Sequence, residues 1–213
     1  MELEELRIRL IERLKHPLPG AAAHEPLRAT PVGEVFPNFQ HKLPPKPGSV
    51  LIVLYPKNGS IWFPLIKRPE YKGAHSGQVS LPGGKAEAGE GIVDTALREG
   101  EEEVGVHRSE IDVLGQLSEF FVIPSNFKVT PVVGVMKSEP VFRPDAREVA
   151  RIMQCDVASL IDAHAVHRKE IMAAGQFRMM APHFEIEQEV VWGATAMILG
   201  EFREVLREIL GMD

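Results

Sequence analysis

The stretch Gly84–Val106, which reads GKAEAGEGIVDTALREGEEEVGV, decides the fold of this chain. Apolar residues recur at helical spacing from its ninth position, and Gly105 can cap a helix at its C-terminal end. The pattern therefore predicts a helix over Ile92–Val104. Small residues on its apolar face, Ala96 and Gly100, would let this helix lie close to a sheet.

The opposite face of the predicted helix is acidic. Glu99, Glu102 and Glu103 stand at positions i, i+3 and i+4, so their carboxylates share one face within one turn. Like charges at this spacing destabilise a bare helix by about 0.2–0.5 kcal/mol per pair. Hard oxygen ligands are what Mg²⁺ requires, and a bound ion would offset the repulsion. The alternative interpretation is a solvated acidic surface.

The full spacing favours the metal-binding interpretation. It resembles the Nudix box, Gly-x5-Glu-x7-Arg-Glu-U-x-Glu-Glu-x-Gly-U, in which U is a bulky aliphatic residue. The matching positions are Gly84, Glu90, Arg98, Glu99, Glu102, Glu103, Gly105 and, for the final U, Val106. Chance agreement at the seven fixed positions is on the order of 10⁻⁹ per start site. One departure is Gly100 at the first U, where glycine costs a helix about 1 kcal/mol against alanine.

This resemblance implies roles for the acidic residues. Glu99 and Glu103 would be the principal ligands of Mg²⁺ or Mn²⁺, with Glu102 a further ligand or a partner through water. The backbone carbonyl of Gly83 would complete the metal site. Arg98 would pair with the carboxylates and hold their rotamers, as residues behind metal ligands commonly do.

A carboxylate near the ion would accept the proton of the attacking water. Glu102 is the first choice for this base, and Glu148, in the loop after Pro144-Asp145, is the second. Glu102, Glu99 and Arg98 are therefore the predicted catalytic residues. Glu90 would brace the loop against the start of the helix.

The segment before the box narrows the substrate. Residues 64–85 read PLIKRPEYKGAHSGQVSLPGGK. Within them, residues 67–84 are predicted to form a polar, glycine-rich loop, and the positive charge of the segment suits phosphate. Its candidate substrate-binding residues are Arg68, Lys72, His75, Gln78 and Lys85. The alternative for the lone His and Gln is that they are ordinary loop residues.

This segment is similar to the Nudix subfamily that hydrolyses coenzyme A and its thioesters. The subfamily pattern is Leu-(Leu/Val)-Thr-x-Arg-(Ser/Ala)-x3-Arg-x3-Gly-x3-Phe-Pro-Gly-Gly. The residues that keep register are Arg68, Gly77, Pro82, Gly83 and Gly84, and the departures are Ile66, Pro69, Gly73 and Leu81. The resemblance implies cleavage of the diphosphate of coenzyme A or acyl-coenzyme A to 3′,5′-ADP and 4′-phosphopantetheine.

Two alternatives remain open at this point. One is a Nudix hydrolase of another nucleoside diphosphate derivative, such as ADP-ribose or a dinucleoside polyphosphate. The other is a non-catalytic nucleotide-sensing domain on the same fold, since a fold alone does not fix function. The intact carboxylate set argues against a sensor.

The rest of the chain predicts an α/β fold with a mixed sheet between helices, in one domain over residues 1–213. A buried strand over Val50–Leu54 is joined to Ile61–Ile66 by an Asn58-Gly59 hairpin turn, which a purely parallel sheet would not contain. Pro64 suggests an edge position or a bulge. The N-terminal helix and an irregular lead-in occupy residues 1–48.

Further elements follow from periodicity. The predicted strands are Ile111–Phe121, Lys128–Met136 and Val149–Met153, and the predicted helices are residues 2–15, Val157–Leu160 and Ala194–Leu210. Residues 162–182 show no clear period.

Composition excludes several classes of protein. The net charge of −6 provides no footprint for duplex nucleic acid, and no apolar run is long enough to span a membrane. The first residues do not resemble a secretory signal. A single cysteine, Cys155, fits a reducing, cytoplasmic location. The expected partner is a small coenzyme A-like nucleotide, and an apolar N-terminal helix could serve a homodimer.

Overall fold

The structure is a computed structural model that describes residues 2–33, 38–70, 76–173 and 175–212. Its helices are α1 (Leu3–Arg13), α2 (Ala21–His24), α3 (Ile92–Val104), α4 (Val157–Ile161) and α5 (Gly193–Leu210). Its strands are β1 (Thr30–Pro31), β2 (Lys46–Lys57), β3 (Ser60–Lys67), β4 (Val79–Ser80), β5 (Gly83–Lys85), β6 (Asp112–Gln116), β7 (Phe120–Val122), β8 (Phe127–Val135), β9 (Arg151–Asp156), β10 (Val166–Ala173), β11 (Phe177–Ile186) and β12 (Glu189–Trp192).

Strand β2 is the centre of the larger sheet. It runs parallel to β8 on one side, with Lys46–Leu54 opposite Phe127–Val135. On its other side it pairs antiparallel with β5 near its start and with β3 at its end. The sheet is therefore mixed, as the sequence predicts.

The β2–β3 hairpin forms at the predicted turn. Asn58 and Gly59 both have positive φ, 51° and 77°, the conformation that a two-residue hairpin loop requires. Pro64 pairs with Gln154 of β9, beyond Trp62, where the ladder between β2 and β3 ends. At Pro64, the side of β3 that faces β2 therefore has no paired residue in β2, as at the edge of a sheet.

Helices cover both faces of this sheet, because side chains alternate along β2. Leu51, Val53 and Tyr55 pack in the core under α3, together with Ala96 and Val104. The residues between them, Ile52 and Leu54, pack in the core that contains α1 and α5. The arrangement is an α/β/α sandwich, which confirms the predicted fold class.

A second, four-stranded sheet occupies the region that had no readable period. Strands β10 and β11 form a hairpin, and β1 and β12 both pair with β11. Most of β10 is exposed, so it lacks the alternation of apolar residues that marks a half-buried strand.

Two of the predicted strands have different bounds in the structure. The strand predicted over Ile111–Phe121 is two strands, β6 and β7, and β6 is interrupted by a bulge between Val113 and Gly115. The strand predicted over Val149–Met153 begins two residues later and extends to Asp156. The buried Val149 belongs instead to a turn, where its amide donates to the carbonyl of Asp145.

A buried carboxylate ties the lead-in to α5. Glu201 is fully buried and accepts hydrogen bonds from the amide of Gly20, from Nε2 of His24 at 3.1 Å and from the amide of Ser118. Burial alone would raise the pKa of Glu201, but these hydrogen bonds outweigh burial and lower it. None of the helices in the described residues is long and apolar enough to cross a membrane.

Candidate active site

Helix α3 lies against the sheet because Gly100 has no side chain. A Cβ atom at this position would stand 2.6 Å from Cδ2 of Leu51 on β2. The departure from the box pattern is thus a packing feature, and Gly100 and Ala96 bring the helix close to the sheet as predicted. Gly105 ends the helix in the left-handed conformation, with φ 75°, and its amide donates to the carbonyl of Glu101.

The Pro82-Gly83-Gly84 turn lies directly under the carboxylates of α3. A Cβ atom on Gly83 would stand 2.6 Å from the Cα atom of Val50, and one on Gly84 would stand 2.6 Å from Cδ of Glu99. Gly83 is required by close approach to the backbone of β2, whereas a side chain at Gly84 would displace the carboxylate of a predicted metal ligand.

Glu103 is the most buried of the three predicted ligands, with 2% of its surface exposed. Its Oε2 atom accepts a 2.7 Å hydrogen bond from the amide of Gly83. Burial raises the pKa of Glu103 to about 7, and the charges of Glu99 and Glu148 act in the same direction. The Gly83 hydrogen bond and the charge of Arg68 oppose the shift.

The other two predicted ligands differ in exposure. Glu99 is largely buried, and burial raises its pKa against the effect of Arg98. Glu102 is open to solvent, with 58% of its side chain exposed. One face of α3 therefore presents two sheltered carboxylates and one accessible carboxylate.

Arg98 links three acidic side chains, Glu90, Glu99 and Glu102. It donates to both carboxylate oxygens of Glu90, at 2.8 and 3.1 Å, and through Nη1 to Glu99 and Glu102, each at 2.9 Å. A further bond reaches the carbonyl of Lys85. These acids raise the pKa of Arg98, which stays protonated. Arg98 thus pairs with these carboxylates, and its role in orienting them as metal ligands stays a prediction.

Glu90 braces the loop before α3, as expected. Besides Arg98, its carboxylate accepts hydrogen bonds from the amide of Glu87 and the hydroxyl of Thr95. The hydrogen bond from Arg98, followed by that from Glu87, lowers the pKa of Glu90 to about 2. The loop is thereby fastened to the first turn of the helix.

The loop that carries Glu148 docks on the end of α3. The amide of Arg143 donates to the carbonyl of Val104, and the amide of Asp145 donates to that of Glu103. The amide of Glu148 donates to the carbonyl of Asp145 in turn. Glu148 is exposed, and its charge contributes to raising the pKa of both Glu99 and Glu103, so it lies within electrostatic range of these two carboxylates.

The structure describes three of the five predicted substrate-binding residues, namely Arg68, Gln78 and Lys85. The amide of Arg68 donates to the carbonyl of Gln78 at 2.9 Å, and the charge of Arg68 acts on Glu103. Lys85 is exposed at the end of β5. Lys72 and His75 lie outside the described residues, so their roles stay predictions.

The roles of Gly83 and the three glutamates as metal ligands stay predictions. Gly83 meets Glu103 through its amide, whereas the sequence prediction concerns its carbonyl. Among the described residues, no three acidic, histidine or cysteine side chains are arranged to hold a metal ion as they stand. In the same arrangement the Arg98 guanidinium donates to Glu99 and Glu102, and the Gly83 amide donates to Glu103.

Sequence reasoning missed a cavity beside Gln78. Its lining combines residues 76–78 with residues from β10, β12 and the turn before β12. Because about a hundred positions separate these segments along the chain, no local pattern could have predicted their meeting.

Comparison with known proteins identifies relatives of this chain. A model of the NUDIX domain family matches residues 45–176. The Uncharacterized Nudix hydrolase NudL of Photorhabdus laumondii is 30% identical over 178 residues, which cover 78% of this chain and 92% of the relative. Its namesake from Yersinia enterocolitica is 34% identical over 137 residues, covering 63% of this chain and 69% of the relative.

Among solved structures, a Nudix hydrolase from M. smegmatis, RenU, matches with a TM-score of 0.51 at 15% identity. The match covers 79% of this chain and 88% of RenU, and it is a likeness of fold alone.

Proposed function

The chain belongs to the Nudix family, and from this premise we propose that it cleaves the diphosphate linkage of coenzyme A or acyl-coenzyme A. The broader activity follows from the family: the chain is a hydrolase that acts on pyrophosphate bonds of nucleoside diphosphate derivatives and uses a divalent cation. The proposal adds the substrate, the identity of the ion and the roles of individual residues.

The substrate proposal is carried by the stretch that leads into the box. Arg68, Gly77 and the Pro82-Gly83-Gly84 turn keep the register of the coenzyme A subfamily. The position of Arg68 supports a role in binding the substrate. Arg68 lies within electrostatic range of Glu103, so it can meet a phosphate that is bound beside this carboxylate. Four residues depart from the subfamily pattern: Ile66, Pro69, Gly73 and Leu81. The experiment that tests the substrate therefore also includes diphosphates other than coenzyme A.

The ion in the proposal is Mg²⁺ or Mn²⁺, held by Glu99, Glu102 and Glu103 with the Gly83 carbonyl. The donor chemistry fits, since these are hard oxygen ligands within one helical turn. A second observation supports the fit: burial raises the pKa of Glu103, and a cation beside this carboxylate would offset the cost of its charge. When bound, the ion neutralises the phosphate oxygens and stabilises the leaving phosphate.

In this proposal, residues of the chain accept the proton of the attacking water and hold the carboxylates in position. The oxygen of a water attacks one phosphorus, and the bond from that phosphorus to the bridging oxygen breaks with its electron pair on the leaving phosphate. Glu102 accepts the proton of the water, for which its exposed carboxylate is accessible. Arg98 holds Glu99 and Glu102 in place during this step. Glu148 is the second candidate base, because its charge reaches both Glu99 and Glu103.

A substrate panel tests the proposal. The protein is incubated with Mg²⁺ or Mn²⁺ and coenzyme A, acetyl-coenzyme A, ADP-ribose and diadenosine polyphosphates, and the products are resolved by chromatography. We expect 3′,5′-ADP and a 4′-phosphopantetheine from the first two substrates. Turnover of ADP-ribose or a dinucleoside polyphosphate far above coenzyme A would overturn the substrate assignment.

Two further outcomes address the other expectations. No turnover of any diphosphate with either ion would favour a nucleotide-sensing role. A homodimer and a cytoplasmic location stay predictions, and the mass of the purified protein in solution tests the first of them.

A further inference from the structure

A cavity of about 380 Å³ lies beside the loop that leads into the active site. The segment 76–78 forms one wall, and the end of β10, the turn before β12 and β12 itself form the other. Its lining side chains include Gln78, Ile171, Met172, Gln188, Glu189 and Trp192. The volume falls within the range of about 300–1,000 Å³ that is usual for small-molecule sites.

The cavity is joined to the catalytic centre by short contacts. Gln78 accepts the backbone hydrogen bond from Arg68, whose charge acts on Glu103. On the opposite wall, the carboxylate of Glu189 pairs at 2.6 Å with Nζ of Lys67, the residue that precedes Arg68. Both walls are thus held to the end of β3.

The separation along the chain limits the distance. Gly83 follows Gln78 by five residues, so the two lie at most about 17 Å apart. Between them, the hydroxyl of Thr195 donates to the carbonyl of Val79, which fixes the start of α5 to β4. A ligand that begins at the phosphate centre can therefore reach the cavity if it extends over a comparable length.

The lining indicates which part of a substrate could enter. Among the described residues that line it, the one charged side chain is Glu189, and its carboxylate already pairs with Lys67 and Arg151. In this described part of the lining, a phosphate would meet no cation. Gln188 instead offers a carboxamide for an amide group, and the apolar members Ile171, Met172 and Trp192 offer surface for a thiol or thioester end.

We infer that this cavity binds the uncharged, amide-bearing pantetheine arm of the substrate, and that the 3′-phosphorylated nucleoside lies elsewhere. The inference rests on the proposed function, because it takes coenzyme A as the substrate. The arm has two amides, a terminal sulfur and about thirteen bonds between phosphorus and sulfur, which span about 16 Å at peptide-like bond lengths. Its reach and its chemistry both match the cavity.

The two expected products separate the two halves of the substrate experimentally. 4′-Phosphopantetheine carries the arm, and 3′,5′-ADP carries the nucleoside, so each is used as a competitive inhibitor of coenzyme A hydrolysis. The test variant is Met172→Gln, which keeps the length of a 57% exposed side chain and removes its apolar end. The matched control is Met180→Gln on the same hairpin, at a residue that is 36% exposed and does not line the cavity.

A second variant probes the amide contact. Gln188 has a φ of 66°, a conformation that asparagine tolerates, so Gln188→Asn withdraws the carboxamide without straining the turn. In both cavity variants we expect the inhibition constant of 4′-phosphopantetheine to rise about fivefold to tenfold. The constant for 3′,5′-ADP, and both constants in Met180→Gln, should stay within about twofold of the original protein.

The outcomes distinguish the two proposals. If the original protein cleaves coenzyme A but the cavity variants leave both inhibition constants unchanged, raise both equally or raise only that of 3′,5′-ADP, the cavity assignment is wrong and the proposed function stands. If the original protein does not cleave coenzyme A, the proposed function fails and the cavity assignment fails with it.

Discussion

The amide of Gly83 and the carboxylate of Glu103 lie 2.7 Å apart, and this hydrogen bond joins the glycine turn to the buried end of the acidic face. The turn is fixed to β2 by backbone pairing, while the carboxylate is carried by α3. Because the turn leads into β5 of the sheet and α3 packs on that sheet, core packing sets the distance between the turn and the helix.

Replacing Glu103 by glutamine should abolish hydrolysis and leave the fold intact. The amide keeps the volume and an acceptor for Gly83 but removes the negative charge proposed to bind the ion. Turnover of coenzyme A and far-ultraviolet circular dichroism measure the two effects. Glu101→Gln is the matched control, because Glu101 lies on the same helix and pairs with Arg108. Near-native turnover in Glu103→Gln would show that the ligand assignment is wrong.

Stability without divalent ions should fall as pH rises from about 4.5 to about 7. The pKa of Glu103 is raised from 4.5 to about 7 in the folded protein, so folding becomes costlier as the unfolded chain loses this proton and the folded chain keeps it. The full effect is about 3 kcal/mol, complete above the folded pKa. Urea unfolding in EDTA at pH 5 and pH 8 measures it.

The difference should be smaller in Glu103→Gln, which has no proton to lose at this position. Equal pH dependence in the two proteins would mean that Glu103 ionises normally.

Replacing Arg98 by lysine should weaken ion binding more than it weakens the fold. Lysine keeps the charge but cannot reach Glu90, Glu99 and Glu102 together, since the planar guanidinium makes those bonds in several directions. Loss of such orienting contacts typically costs about 10–100-fold in metal affinity. The Mn²⁺ concentration for half-maximal turnover measures the change. Arg108→Lys serves as control, and an unchanged Mn²⁺ requirement in Arg98→Lys would contradict the orienting role.

Much of the site could be predicted from sequence because its determinants are local. The bounds of α3, its glycine cap and its acidic face lie within one continuous segment, where spacing alone defines the geometry. The place of Glu148 beside α3 has no such local signal, because backbone bonds from a distant loop bring it there. The β10–β11 hairpin was not predicted, because β10 is mostly exposed and its sequence lacks the alternation of apolar and polar residues that marks a half-buried strand.

A bulky residue at position 100 should destabilise the protein even though it restores the box pattern. Gly100→Val gains helix propensity, but its side chain would overlap Leu51, and overpacking of this kind costs about 1–3 kcal/mol. Denaturant unfolding measures the loss. A double variant that also carries Leu51→Ala should be more stable than the sum of the two single changes predicts, and an additive result would contradict the proposed contact.

Removing the Glu201 carboxylate should destabilise the fold strongly. Glu201→Ala leaves the amides of Gly20 and Ser118 and the ring of His24 without their acceptor in a buried site, at a cost of about 3–5 kcal/mol. Glu204→Ala, on the exposed side of the same helix, should change stability by about 0.5 kcal/mol or less. The midpoints of urea unfolding compare the two variants, and similar midpoints would contradict the structural role of Glu201.

The alternation of side chains along β2 has a consequence for how this protein can change over evolution. Insertion or deletion of one residue within Val50–Tyr55 would exchange the side chains beneath α3 with those beneath α1 and α5, and would shift the parallel register with β8 by one position. Substitutions that preserve volume are tolerable in this strand, whereas changes in its length would dismantle both cores at once. Length variation among relatives should therefore collect in the connecting loops.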